Sequence, residues 1–319
     1  MTLTVLAPDG VPEIRPGDDL AALVVAALSP VDGDVLLVTS KVVSKAESRS
    51  LPGTDRLAAV EAELAEPGAR VVARRGPTTI VRTRLGLTLA AAGVDASNVA
   101  RGNVLLLPLD PDGSARALRR AVAERTGANV GVVVTDTAGR AWRTGQTDIA
   151  IGAAGITVVD DHTGRTDGYG NELMVTAPAL ADELAGAAEL AQGKLAGRPF
   201  ALVRGRADLV LPPGEDGPGA AVLVRVEGED LFGYGAREAV VRALAGEPAD
   251  QVPFGAPAGA EEMADAVARV MGVVAEPVGD GLAVPVDPLL APLAFAHGWY
   301  LADAPEEGPE KARIRPVTP

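Results

Sequence analysis

The sequence predicts an α+β fold. Short apolar runs of strand length and longer runs with helical period alternate irregularly along the chain. There is no internal repeat and no fixed strand–helix–strand cadence, so a doubly wound parallel sheet is disfavoured. The 319 residues suffice for one large domain or two smaller ones.

Taken in order, residues 2–6 read as a short strand. Val11-Pro12-Glu13-Ile14 leads into Pro16-Gly17-Asp18-Asp19, a turn whose acids cap a helix over 19–29. Residues 34–39 form a strand that closes on Ser40-Lys41, and 54–66 a helix starting near Thr54 or Asp55. Residues 71–73 and 79–82 are short strands. A loop with Asp95, Ser97 and Asn98 precedes a buried strand at 104–107, and Asp110-Pro111-Asp112 caps a helix through Glu124. The strand at 131–134 is expected to end in a polar loop with a flexible glycine turn. Residues 176–192 carry Leu180, Leu184, Ala188 and Ala191 at close to helical period, with Gly193 as C-cap. Strands at 200–204 and 221–225 and a helix at 236–245 follow.

The texture then changes. GEPADQVPFGAPAGA (246–260) reads as a linker. Beyond it come a helix at 260–271, a hairpin at 272–286, a helix at 287–299 and a disordered tail, EEGPEKARIRPVTP. Met263, Val267 and Met271 share one helix face, expected to dock on the main domain or on a dimer partner. The expected division is therefore 1–246 and a C-terminal extension, 247–319, of unassigned role.

A net charge of −14 argues against a nonspecific nucleic-acid coat. The chain has no cysteine, so disulfides and thiolate sites are excluded. No apolar run reaches membrane-spanning length, and the opening MTLTVLAPDG lacks the regions of a signal peptide, so the expected location is cytoplasmic. Only four of the 29 basic residues are lysine: Lys41, Lys45, Lys194 and Lys311. Two of them stand four apart in VTSKVVSK, where a compact ammonium can approach phosphate more closely than a guanidinium fork. Chance clustering on a solvated surface is the competing reading.

TDTAGRAWRTGQTD (135–148) is the densest polar segment. Its acids, threonines, glutamine and two arginines follow a core strand directly. Carboxylate and hydroxyl oxygens suit a hard divalent ion, and adjacent arginines suit an anionic ligand, as phosphoryl chemistry requires. Asp95 in AGVDASNV offers a further carboxylate and Asn98 a polar partner, although from local sequence alone an Asx turn or helix cap is the favoured reading. Asp160-Asp161-His162 looks like a metal cluster but lies in a loop-like stretch with no second histidine nearby, so an ordinary loop is preferred.

Together these segments resemble the coenzyme F420-0:L-glutamate ligase (gamma-glutamyl ligase) family. The matching runs, in order, are VPEIRPGDDL, DGDVLLVTSKVVSKAE, RLGLTLAAAGVDASNV, LPLDPDGSARALR, VVVTDTAGRAWRTGQTDIAIGAAGI, YGNELMVTAPALADELAGAAELAQGK and LFGYGAREAV, covering about residues 1–246. The resemblance implies a gamma-glutamyl ligase-like α+β fold and an intertwined homodimer. It implies GTP-dependent addition of L-glutamate to coenzyme F420-0, and to the growing gamma-glutamyl tail, through an acyl phosphate. It also implies two divalent ions, magnesium or manganese, and admits a monovalent cation such as potassium. Carried across by motif, Val11, Pro12, Glu13, Ile14, Ser40, Lys45 and Asn98 would contact GTP. Asp95 and Asp136 would hold one metal and Thr137 the second. Arg140 and Arg143, chosen from charge and placement, are candidate contacts for anionic substrate, and Glu172 is a candidate for orienting an amine. The extension is too short for the flavin-dependent, nitroreductase-like domain that some relatives carry, so no FMN is expected. The alternatives are a metal-dependent GTP phosphohydrolase, a related ligase acting on another acid, and a noncatalytic nucleotide-binding module.

Overall fold

The computed structural model describes residues 2–52, 55–75, 77–230, 232–302 and 311–317. In chain order the elements are β1 (Thr4–Leu6), α1 (Leu20–Leu28), β2 (Val35–Thr39), α2 (Ser40–Ala46), β3 (Ser50–Pro52), α3 (Arg56–Leu64), β4 (Arg70–Arg75) and β5 (Thr78–Arg82). Next come β6 (Thr88–Ala90), β7 (Asn103–Leu105), α4 (Pro111–Thr126), β8 (Gly131–Arg140), β9 (Arg143–Ala154), α5 (Leu180–Gln192) and β10 (Phe200–Arg204). The remainder is α6 (Ala236–Ala245), α7 (Ala260–Met271), β11 (Glu276–Val278), β12 (Gly281–Pro285), α8 (Leu290–Ala296), β13 (Trp299–Ala302) and β14 (Lys311–Pro316). The mixture of helices and separate sheets is α+β.

Two compact units emerge: residues 1–70 with 81–224, and residues 71–80 with 225–319. The division thus falls at Arg225 rather than after 246, and the second unit recruits a segment from far upstream. The Gly235 N–H donates to the Val72 carbonyl at 2.8 Å, which ties 71–80 to the chain that follows 225. Pairing between such distant segments leaves no local mark in the sequence.

The first unit is built on a five-stranded sheet ordered β1-β10-β2-β8-β9. β2 and β8 run parallel in its centre and the other neighbours are antiparallel. Val35–Val38 and Val132–Val134 are fully buried, so both faces of this sheet are covered. One face carries α1 and α4 over Leu36, Val38, Val132 and Val134, and the other carries α5 over Val35, Leu37 and Val133. Asp19 caps α1 by accepting from Ala22 N, and Asp110 caps α4 by accepting from Gly113 N. The smaller pair β3-β7 closes over Ala59, Val60, Val81 and Val104.

Buried polar groups fix this unit. Arg119 on α4 donates to the carbonyls of Val130, Glu215 and Pro212, to Asn129, and to Asp216 at 2.8 Å. The carboxylate of Asp112 accepts from Ala153 N and Ala220 N, both at 2.7 Å. The loop at 211–220 is therefore clamped to α4. The expected strand at 221–225 is instead a 3-10 turn at Ala220–Leu223, started by these contacts to Asp112.

The expected loop after residue 134 is also corrected. β8 continues through Arg140 and pairs antiparallel with β9, with register shifts between Val134 and Thr135 and between Gly139 and Arg140. Cross-strand pairing holds the polar residues extended, and Trp142 at φ 56° makes the turn.

The second unit contains a four-stranded antiparallel sheet, β11-β12-β14-β13. Met263 and Val267 of α7 are fully buried on Leu282, Val284, Leu290, Trp299 and Ile314. The apolar face of α7 thus finds its cover within its own unit. The stretch read as a linker contributes two 3-10 turns, and Gln251 in it donates to the carbonyls of Phe295 and Trp299. Part of the tail expected to be disordered, Lys311–Pro316, is the central strand β14. Residues 306–310 and 318–319 of that tail lie outside the described residues. Among the described residues no helix is long and apolar enough to cross a membrane.

Candidate active site

The C-terminal end of β2 lies beside the middle of β8, with Thr39 opposite Thr135 where β8 passes its bulge. There the sheet opens into a cleft of about 620 Å³ within the first unit. Ligands gather at such strand ends because backbone and side chains diverge there. Four segments wall it: Val11–Ile14, α2, Asn98–Ala100, and the end of α5 with the residues up to Pro199.

β2 runs directly into α2, so Lys41 and Lys45, four residues apart, fall on one helix face and both line the cleft. Lys45 is largely buried and forms an ion pair with the exposed Glu13 at 2.5 Å. Lys41 forms an ion pair with Asp95 and donates to Ser97 Oγ at 2.7 Å. Asp95 also accepts from Ser97 N at 2.7 Å, so the expected Asx turn is present together with the ion pair. Burial works to raise the Asp95 carboxyl, but its bonds to Lys41 and Ser97 outweigh that and hold it below the ordinary range.

The floor belongs to the β8–β9 hairpin. Asp136 accepts from Ser40 Oγ at 3.1 Å. Burial pushes its carboxyl up to about 6, with the neighbouring Asp148 charge acting in the same direction against the opposing Thr137, Ser40 and Lys41. Asp148 is buried and accepts from Thr137 Oγ1 at 2.7 Å and Thr135 Oγ1 at 3.3 Å. Since Thr137 gives its only hydroxyl proton to Asp148, its oxygen can only accept from other groups, and Lys194 Nζ donates to it at 2.7 Å. Glu189 on α5 faces the same space, its carboxyl raised first by burial and then by Asp148.

Val11, Pro12, Glu13, Ile14, Ser40, Lys45, Asn98, Asp136 and Thr137 thus meet in one cleft. Asp95 stands behind Lys41 rather than on the lining. Arg140 and Arg143 sit exposed at the hairpin tip, where Arg140 donates to the Thr144 carbonyl, and Glu172 is exposed in a loop bridged to Thr166. None of these three lines the cleft. Asp160 and His162 pair at 3.2 Å, also outside it. The sequence reading placed Asp148 in the polar segment 135–148 without a role of its own, and missed Glu189, Gln192 and Lys194 as lining residues. Lys194 carried a signal, as one of four lysines, whereas Glu189 and Gln192 read as positions on an ordinary amphipathic helix.

Among the described residues, no three His, Cys, Asp or Glu side chains are placed to hold a metal ion by themselves. The oxygens of Asp136 and Thr137 nevertheless suit a hard divalent ion that takes its remaining ligands from a phosphorylated substrate and water, the usual mode for magnesium. A buried carboxylate beside a second acid is the group such an ion would stabilise.

An α+β body with lysines and carboxylates converging on one cleft beside the end of β2 defines a protein suited to a charged ligand. The chain belongs to the F420-0:gamma-glutamyl ligase family, whose profile matches residues 10–205. It is 42% identical over 220 residues to the coenzyme F420:L-glutamate ligase of Archaeoglobus fulgidus, covering 64% of this chain and 88% of that protein. The protein of the same name from Methanopyrus kandleri is 42% identical over 241 residues, 69% and 93% of the two chains. That of Methanothermobacter thermautotrophicus is 37% identical over 228 residues, 64% and 90%. The matched profile encloses every residue that lines the cleft, and it also takes in 71–80 of the second unit.

Proposed function

We propose that this chain ligates L-glutamate to coenzyme F420-0, and to the gamma-glutamyl tail that results, using GTP. The observation that carries the reading is the meeting of Val11–Ile14, Ser40, Lys45 and Asn98 with Asp136 and Thr137 in one cleft, within a chain whose relatives bear the ligase name. Val11–Ile14 and Asn98 bind the nucleoside, and Ser40 and Lys45 bind its phosphates. Lys45 exchanges Glu13 for phosphate oxygens when the nucleotide enters, and Lys41 neutralises Asp95 until metal takes its place. Asp136, Thr137 and Asp95 would hold divalent metal, which supplies neutralisation of phosphate charge. The acceptor carboxylate takes the γ-phosphoryl group and GDP leaves. The glutamate nitrogen then bonds to the acyl carbon, the carbon–oxygen bond to phosphate breaks, and the nitrogen gives up its proton.

A homodimer belongs to the same reading. Tyr169, Val175, Leu190 and Leu195 are at least 89% exposed. Apolar side chains so exposed suit cover by a second copy. In such a dimer Arg140, Arg143 and Glu172, in the neighbouring segments, are candidates for the anionic acceptor. The deciding experiment incubates the protein with F420-0, GTP, L-glutamate and manganese and follows the coenzyme by mass. Addition of glutamyl residues with equal release of phosphate is expected. Phosphate release that consumes neither co-substrate would replace this reading with a phosphohydrolase.

A further inference from the structure

The tip of the β8–β9 hairpin combines three features that each work against the fold. The chain has two tryptophans: Trp299 is 1% exposed, whereas Trp142 at the hairpin turn is 84% exposed. An indole held in water forgoes the burial that favours so large a ring. Trp142 also sits at φ 56°, the left-handed region in which a bulky side chain crowds the following carbonyl. Tight turns with positive φ at their second central residue ordinarily take glycine there. Finally, Arg140 and Arg143 are both exposed and stand directly opposite one another across the ribbon, where like charges repel. No carboxylate lies between Asp136 and Asp148 to offset them. Strained backbone, an exposed aromatic ring and facing cations persist together where a ligand relieves them.

The three features complement one kind of ligand. An indole face suits a flat conjugated ring, which stacks on it. Two guanidiniums suit negative charge carried beside that ring. The Arg140 fork is held in place by its bond to the Thr144 carbonyl at 2.7 Å. Position adds a constraint of length. The strand that brings Asp136 and Thr137 to the cleft floor also carries Arg140. A chain advances at most about 3.6 Å per residue, so Trp142 lies within about 22 Å of Asp136. A ligand with a reacting group at the floor therefore reaches the tip when an extended anionic chain separates that group from its ring.

We propose that Trp142 is the stacking platform for the conjugated ring of the acceptor, with Arg140 and Arg143 binding negative charge on the acceptor's chain. The hairpin thus lays the acceptor out from its ring at the tip to its carboxylate at the cleft floor. This rests on the ligase reading above, in which the acceptor is a deazaflavin. Trp142 is a specificity residue here: it selects an acid that carries a flat ring over one that does not.

The test uses the full chain with Trp142→Leu and Trp142→Phe. Both keep an apolar side chain at the same strained turn, and only phenylalanine keeps a ring face. Steady-state ligation should show the KM for F420-0 raised about tenfold or more in Trp142→Leu, the loss of one stacked ring, and clearly less in Trp142→Phe. The KM values for GTP and L-glutamate should not move in either, and the two variants should melt alike. Arg143→Gln should raise the KM for F420-0 by a factor that shrinks as salt is added. An unchanged KM for F420-0 in Trp142→Leu overturns the platform. So does an equal rise in the two tryptophan variants, since a ring face is then not what binds. Dissociation of either variant to half the wild-type mass in sedimentation would make the tip a subunit contact and also overturn it. If the wild-type protein fails to ligate, the ligase reading falls, and calorimetric titration with F420-0 decides the platform separately. Binding to wild type and Trp142→Phe that weakens about tenfold or more in Trp142→Leu supports the platform, and equal or absent binding rejects it.

Discussion

Asp136 sets the balance between stability and chemistry at the cleft floor. Its carboxyl is raised from 3.8 to about 6 by burial, so the folded chain holds this proton more tightly than the unfolded chain does. The sign follows: this group imposes no cost below about pH 4, and its cost grows as pH rises through about 6. Above that, the charged form opposes folding by on the order of 2–3 kcal/mol. Asp136→Asn keeps the shape and removes the charge. It should stabilise the ligand-free protein near pH 8, with the advantage shrinking toward pH 4, as urea unfolding at the two pH values would show. The same variant should lose manganese binding and at least ~100-fold in ligation. An asparagine variant that ligates normally ends the metal assignment. Lys45 presents the opposite case. Its partner Glu13 is exposed, so their ion pair contributes little to the fold, about 0–1 kcal/mol. Lys45→Ala should leave melting almost unchanged while raising the GTP requirement about tenfold or more. Lys45→Arg should not restore it, because a planar fork cannot occupy the place of a compact ammonium. Unchanged GTP affinity in the alanine variant would leave Lys45 as a surface residue.

At the scale of elements, the hairpin β8–β9 fixes where Asp136, Thr137 and Asp148 stand, and α4 fixes the hairpin. A Cβ placed on Gly152 would lie 2.4 Å from the backbone carbon and oxygen of Pro111, at the start of α4. Backbone there cannot yield as a side-chain tip can. Gly152→Ala should therefore destabilise the protein by roughly 2–4 kcal/mol and weaken metal binding through the displaced floor. Gly139→Ala on the same hairpin meets nothing within 4 Å and should be close to neutral. Equal melting temperatures for the two variants would show that α4 does not set the hairpin. The helices around this hairpin were legible in the sequence because their signals are local. Asp19 and Asp110 cap α1 and α4 as their positions suggest, and Gly193 ends α5. The hairpin was not legible, because its threonines, acids and arginines have loop composition and only pairing with β9 keeps them extended. The cleft was readable as far as its motifs adjoin strand ends. Gln192 was hidden, since nothing in a helical pattern marks an amide that the fold buries without partners.

For the molecule as a whole, the cleft and the second unit are separable in content but not at the point the sequence suggests. Every cleft-lining residue lies between Val11 and Pro199, and the family profile ends at 205. Nothing in the chemistry proposed above draws on residues beyond that. A cut after 246, however, passes through the second unit. It separates Arg242 from Asp250, which accepts from it at 2.8 Å, and Tyr234 from Phe254, whose ring centre lies 5.5 Å away. It also removes the whole apolar core around Met263, Trp299 and Ile314, leaving 71–80 and 225–246 without it. A chain of residues 1–246 should therefore still ligate glutamate, with kcat close to that of the full chain. Its melting temperature should be lower, by on the order of 5 °C, and it should aggregate more readily through its unsupported segment. Scanning fluorimetry, size-exclusion chromatography and the mass assay measure these three outcomes together. A truncated chain that stays folded and binds GTP but adds no glutamate would mean that the second unit contributes to catalysis. An unchanged melting temperature would mean that residues 71–80 and 225–246 draw their stability from elsewhere than the core around Trp299.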